Sequence, residues 1–404
     1  MVWFEWQLAT RLLKEGKTQS LLIASGIALG VAVIVFITAL VTGLQKTIID
    51  RTLGTQAHIV ITEPDKVLQP SLTGDVIFRQ LQPRPQRSEP ILNWPLLSKA
   101  LAKNSQIKAV SPVLSGAAFA LRGQADKSVA ILGIDPTAYQ QIIPLKDYIK
   151  QGQLRLNSDE AMIGQRLADD LGLKIGDSIV LLAANNRQIT VRVTAIFEFG
   201  IKDLDRRWVY LSLRSAQNLL DLQGQITGID LQVYTLFDAE KIAQQLQQQY
   251  PIQAESWMSS NQQLMTALKS QTASTTLIRF FVLISVAFGI ASVLAIAVVQ
   301  KQKEIGILRA MGLSQNSVLV VFLIQGGLLG LVGSILGSLG GVGLGQLFSL
   351  VARSATGEPL FQLALTQELF ISTMSIATVT GLISAAMPAY RAAKLDPVQA
   401  IRYG

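Results

Sequence analysis

The stretch KQKEIGILRAMG, Lys301 to Gly312, decides how the rest of this chain is read. Phe280 to Gln300 before it carries no charge, and nothing ionisable appears from Leu313 to Ala352 after it. A bilayer core of about 30 Å is crossed by about 20 helical residues, so both flanking runs are long enough to span it. Within the wedge, Lys301, Lys303 and Arg309 stand against one acid, Glu304, which points to the cytoplasmic side of a membrane. Ile305, Ile307, Leu308 and Met311 recur at helical spacing among those charges. The pattern predicts a short amphipathic helix in a tight loop over 301–314, stopped by Gly312. A plainer alternative is a loop whose lysines do no more than set topology.

Working outward, the chain has 404 residues, half of them hydrophobic, with no cysteine, one histidine (His58) and a net charge of +8. Segments 1–19, 301–312 and 391–404 together hold nine Lys/Arg against four acids, whereas 46–279 holds 25 against 21. The excess base therefore sits beside the apolar runs, as the positive-inside rule expects, and is not a nucleic-acid signature. Without cysteine there is no disulfide, thiolate metal site or cysteine-borne lipid anchor.

Four spans follow: 20–45, 280–300, 315–352 and 369–390. They leave 1–19, 301–314 and 391–404 inside, and 46–279 and 353–368 outside. Residues 1–19 read as an amphipathic helix on the inner surface, with Trp3, Phe4 and Trp6 among Arg11, Lys14 and Lys17. Gly16-Lys17-Thr18 looks like the end of a phosphate-binding loop, but Arg11 occupies the position where that loop needs glycine. Gly26 and Gly30 form a GxxxG pair suited to close helix contact. The third run would be about 60 Å long if wholly helical, about twice what is needed, so it is expected to be broken or extended. Gly333, Gly337, Gly341 and Gly345 recur every fourth residue along it, which lines up small residues on one face for a neighbouring helix.

The 46–279 segment mixes strand and helix patterns, so the fold class is an α-helical membrane protein with a large extracytoplasmic α+β domain of two lobes. Strands are expected at Gln56–Thr62, through KAVSPVLSGAAFALRG and KSVAILGID as a pair, at SIVLLAA and RQITVRVTAIF around an Asn185-Asn186 turn, and at ITGIDLQVYT. Helices are expected at Trp94–Lys103, Glu160–Leu171, Ser215–Asp221, Ala239–Tyr250 and from Met258 to Thr276. Pro64 to Pro90 reads as a proline-rich excursion.

No enzyme motif is present: there is no GxSxG, HExxH, CxxC or complete phosphate loop, and one histidine builds no multi-histidine metal site. The acid pairs Asp169/Asp170 and Asp203/Asp205 read as solvated turn or helix residues. The spans contain no Asp, Glu, Lys, Arg or His, which argues against a proton- or ion-coupled transporter. A lipophilic ligand would be held by apolar contact, and Phe36, Leu40, Leu44, Phe280, Phe281 and Ile284 at the outer ends of the first two spans are the candidates.

KEIGILRAMG and the terminal MPAYRAAKLDPVQAIRYG resemble the signature of the FtsX/MacB superfamily of ABC permeases. The order of GLQKTIIDRTLGTQAHIVIT, KAVSPV, LGIDP, GQRLADDLGLKIGDSIVLL, IFEFGIKDLDRRWVYLSLRSAQNLL and ITGIDLQVY narrows this to the lipoprotein-releasing LolC/LolE type, over nearly the whole chain. The resemblance implies a permease without ATPase motifs of its own, in a bacterial inner membrane. It would work with a cytoplasmic ATPase dimer that binds ATP and Mg, with a second permease chain as homo- or heterodimer, and with membrane lipids. A periplasmic adaptor or chaperone is a further partner of this family. Lys301, Lys303, Glu304, Ile305, Leu308, Arg309 and Gly312 would contact the ATPase, whose closure would move the outer domain by mechanotransmission. Gly289 stands where the family commonly has asparagine, and the hairpin LLAANNRQITV is shorter than the chaperone-recruiting one of the LolC type. The alternatives are a MacB-like efflux subunit and an FtsX-like signal transmitter.

Overall fold

The computed structural model describes residues 2–64, 90–91, 93–353 and 363–396. The excursion read over Pro64 to Pro90 falls almost wholly outside these, as do parts of the 353–368 loop and the tail. In chain order, helices α1 (Val2–Glu15) and α2 (Lys17–Leu53) precede β1 (Ile59–Thr62), α3 (Trp94–Ala102), β2 (Ile107–Arg122) and β3 (Ala125–Ile134). Next come α4 (Pro136–Tyr139), β4 (Ile149–Gly152), β5 (Glu160–Gly164), α5 (Gln165–Leu171), β6 (Ser178–Ala183) and β7 (Gln188–Phe197). They are followed by α6 (Lys202–Arg207), β8 (Trp208–Ser212), α7 (Leu213–Leu220), β9 (Gly228–Val233), α8 (Ala239–Gln249), β10 (Gln253–Ser256) and α9 (Trp257–Ser260). The chain ends with α10 (Gln262–Gln300), α11 (Gln302–Ala310), α12 (Gln315–Val351) and α13 (Gln367–Ala393). Two compact units result, one of 1–49 with 266–404 and one of 50–265.

The unit of 50–265 is built on one hydrogen-bonded sheet of ten strands. Its pairings β2–β3–β8–β5–β7–β6 return to β2, a closed ring, and β9, β1 and β10 continue from the first half of β2 (107–113), on the same edge as β6. Alternate inward residues of the ring, among them Leu114, Ile131, Ile163, Val193 and Val209, form one buried cluster with Leu167 and Leu219 from α5 and α7. A second cluster gathers Tyr139, Leu145, Phe197 and Tyr210. The β6–β7 hairpin turns on Asn186 at φ 65°, with the Asn185 side chain accepting from the Arg187 amide at 3.0 Å. Asparagine is among the few residues that take this left-handed conformation readily.

Three expectations are corrected here. Glu160 to Leu171 is not one helix, because Glu160–Gly164 is strand β5, parallel to β7 and antiparallel to β8. Every residue of β5 is buried, and a strand covered on both faces loses the alternation that would have marked it. The helix read from Met258 is interrupted at Asn261, whose backbone leaves the helical region between α9 and α10. Asp205 is not solvated: it is 2% exposed and accepts from the amides of Phe199 (2.7 Å) and Gly200 (3.1 Å). Asp170, in contrast, meets Lys127 and Arg206 at the surface.

Within the other unit, four helices (α2, α10, α12 and α13) are long and apolar enough to cross a membrane. Of the two options for the third run, the structure has the extended one: α12 is a single helix of 37 residues despite its glycines. In an apolar solvent the helix keeps every backbone group paired, which outweighs glycine's low propensity. The same glycines set the packing. Ideal Cβ atoms at Gly326 and Gly330 would strike the backbone of Gly381 and Ala377 on α13, and at Gly333, Gly337 and Gly341 they would strike Ile27, Val31 and Val35 on α2. At Gly345 the neighbour is Leu363, and Gly26 has open space around it.

Candidate functional site

The short helix α11 lies between two helices that are both anchored in the same bundle. Lys301 is its N-cap, and it ends where Gly312 turns to φ 100°. The Leu313 amide then donates back to the Leu308 carbonyl at 3.1 Å. This reversal satisfies the last carbonyls of the helix and needs a residue without Cβ.

One face of α11 is fixed to its own chain. Ile305, 4% exposed, packs with Val298, Val318, Phe322, Ala389 and Ala392. Arg309 turns to the end of α13, where its Nη1 donates to the carbonyl of Ala393 at 3.1 Å and to that of Leu395. The opposite face is exposed: Lys303 and Glu304 lie there with Ile307, 49% exposed, and Met311, 72% exposed. Leu308 is half-buried between the two faces. The sequence-predicted coupling residues thus divide into an inward group (Ile305, Arg309) and an outward group (Lys303, Glu304), with Ile307 and Met311 joining the second.

Charges at the start of α11 form an alternating chain with α1. Arg11 Nε lies 3.1 Å from Glu15 Oε1, Lys301 Nζ 3.2 Å from Glu15 Oε2, and the same Nζ 2.9 Å from Glu304 Oε2. The Lys301 and Arg11 hydrogen bonds hold the Glu15 carboxyl below its usual range, and the Glu304 bond holds the Lys301 ammonium above its own. α1 is also tied to α12: Ser317 Oγ donates to the buried Glu5 carboxylate at 3.0 Å, and Gln325 Nε2 to the Ala9 carbonyl at 3.4 Å. Sequence reasoning missed these ties. Glu5 and Glu15 carried a signal only in being acids on an otherwise basic, aromatic helix.

The six apolar candidates are spread over about three turns of an antiparallel α2–α10 pair. Contacts along this pair run from Gln19 with Gln300, through Gly30 with Val286, to Gln45 with Thr272 at 3.1 Å. Phe36 turns toward α12, its ring centroid 5.8 Å from that of Phe348 in an edge-on contact. Phe280 and Phe281 are exposed, whereas Leu40, Leu44 and Ile284 are half-buried. The structure therefore gathers these residues neither at one level nor on one surface.

A family model for the MacB-like periplasmic core domain matches residues 20–249, and one for the FtsX-like permease C-terminal matches 276–397. Among curated proteins the chain is similar to the lipoprotein-releasing system transmembrane protein LolC of Xylella fastidiosa, 25% identical, with 94% of this chain and 92% of that protein covered. LolE of the same system in Haemophilus influenzae is 26% identical over the same shares. The macrolide export ATP-binding/permease protein MacB of Acinetobacter baylyi is 24% identical, with 98% of this chain aligned to 59% of that protein.

Proposed function

The chain belongs to the family of ABC transporter permeases that joins a MacB-like periplasmic core domain to an FtsX-like permease segment, and from that premise we propose that it extracts or exports a lipophilic, lipoprotein-like cargo. It does so as the membrane subunit of an ATP-driven machine, with ATP and Mg bound on a separate ATPase dimer and a second permease chain beside it. Both termini and α11 face the cytoplasm of a bacterial cell, and the 46–279 domain lies in the periplasm. Its closed strand ring and the β9–β1–β10 extension are the two lobes. The observation that carries this reading is the division of α11 into a face locked onto α12 and α13 and a face with two exposed apolar side chains beside Lys303. A helix held on one side transmits force, and exposed Ile307 and Met311 are the kind of side chains that fill a partner's groove. ATP-driven closure of the partner would push α11, and with it α10, α12 and α13, and so move the periplasmic domain. Cargo held against α2 and α10 would be displaced outward.

The short β6–β7 turn favours a subunit that does not itself recruit a chaperone. The test is co-purification of the ATPase in mild detergent with a doubly substituted chain, Ile307→Glu with Met311→Glu. We expect the retained ATPase to fall by about tenfold or more, since buried anchors dominate such contacts, while membrane insertion is unchanged. Retention at the wild-type level would remove α11 from the interface.

A further inference from the structure

We infer that α2, α10 and α13 form a binding site for the phosphate-bearing headgroup of a membrane phospholipid, with Arg279 as its cation. A cavity of about 60 Å³ lies among these three helices, lined by Thr38, Arg279, Leu283, Leu369, Ser372 and Ile376 among others. Arg279 is half-buried, and among the described residues its guanidinium has no hydrogen-bond or ion-pair partner, its buried Nε included. Thr38, 8% exposed, likewise has a hydroxyl without a partner, although an i−4 carbonyl is within reach of most helical threonines. Ser372 and Thr373 have already given their hydroxyl hydrogens to the Leu369 carbonyl, at 3.1 and 2.6 Å. What the cavity offers a ligand is therefore a set of donors, a guanidinium fork and one hydroxyl. That set fits an anion rich in acceptor oxygens and matches phosphate geometry in particular. A cation removed from water without a counter-charge is costly, so a bound anion would relieve the site.

The rest of the lining says what kind of anion. Val31 and Ile34 lie one to two turns from Thr38 along α2, Leu283 one turn from Arg279 along α10, and Ile376 one turn from Ser372 along α13. The cavity thus passes from a polar end to an aliphatic stretch within apolar helices, the polarity profile of a lipid and not of a soluble ion. On the topology proposed above, the polar end is level with the outer leaflet. The inference does not depend on the ATPase contact of α11.

The full chain, purified in a nonionic detergent, would be titrated in mixed micelles with phosphatidylglycerol, with diacylglycerol, and separately with inorganic phosphate, following thermal unfolding. We expect phosphatidylglycerol to raise Tm, and the two controls, which supply tails without phosphate or phosphate without tails, to leave it unchanged. Arg279→Gln should weaken the apparent affinity about tenfold or more, Arg279→Lys should restore part of it, and Thr38→Val should weaken it less. Because the substitution removes an unpaired cation, lipid-free Arg279→Gln should melt no lower than wild type. An equal response to diacylglycerol would make the site a plain apolar groove, and an equal response to phosphate a soluble-anion site; either overturns the inference. So would unchanged affinity in Arg279→Gln or, should that variant fail to assemble, in Thr38→Val.

Discussion

At the scale of single residues, side chains of the same type do opposite work. Lys303 and Arg309 both lie on a basic loop helix, yet one is exposed and the other holds two carbonyls at the end of α13. A guanidinium can donate to two acceptors at once from a fixed plane, which suits Arg309 to a structural clasp. Glu160 is a second case of a charge spent internally. It is 4% exposed, accepts from Arg155 Nε at 2.7 Å and from the Asn157 amide at 2.9 Å, and Arg155 holds its carboxyl below the usual value of 4.5. A depressed carboxylate contributes stability that is present above its unfolded pKa and lost as pH falls through its folded pKa. Hydrogen exchange of the full chain should therefore show residues 153–164 loosening below about pH 4.5. In Glu160→Gln the same segment should be looser at neutral pH and change less on acidification. An identical pH response in both proteins would mean that Glu160 is not the titrating group.

At the scale of elements, α12 is the one that the others pack on. Its glycines work as two sets along its length, Gly326 and Gly330 admitting α13 and Gly333, Gly337 and Gly341 admitting α2. An ideal Cβ at Gly337 would stand 2.6 Å from both the Ala28 carbonyl oxygen and Val31 Cβ, whereas one at Gly343 would meet nothing within 4 Å. Gly337→Leu should therefore destabilise the helical unit by about 1–3 kcal/mol, the usual range for overpacking. Gly343→Leu on the same helix should be close to neutral. Thermal unfolding of the two variants in one detergent compares them directly, and equal effects would mean that α2 does not lie against Gly337. The glycine period was legible in the sequence as one stripe. Which helix each glycine admits was not, because that depends on where α2 and α13, hundreds and tens of residues away, come to lie along α12.

For the whole molecule, the proposal stands or falls on sidedness. The chain has no cysteine, so single cysteines introduced at exposed positions report without background. Lys303→Cys on α11 and Gln124→Cys in the β2–β3 turn should react with a membrane-impermeant maleimide from opposite sides, the first only after the inner face is opened. Labelling of both from the same side in intact cells would refute the four-span topology. The sequence alone determined the four apolar helices, the amphipathic helix between two of them, the left-handed stop at Gly312 and the β2–β3 and β6–β7 hairpins. Each of these rests on hydropathy, period or turn chemistry inside one short window, and residues a few positions apart suffice to express it. Only the tertiary structure decided that Glu160–Gly164 is a strand, that β6 closes a ring onto β2, that Arg309 points inward and Lys303 outward, and that Arg279 faces a cavity with no partner among the described residues. These depend on neighbours tens to hundreds of residues away, and a burial pattern set by such neighbours leaves no period in the local sequence.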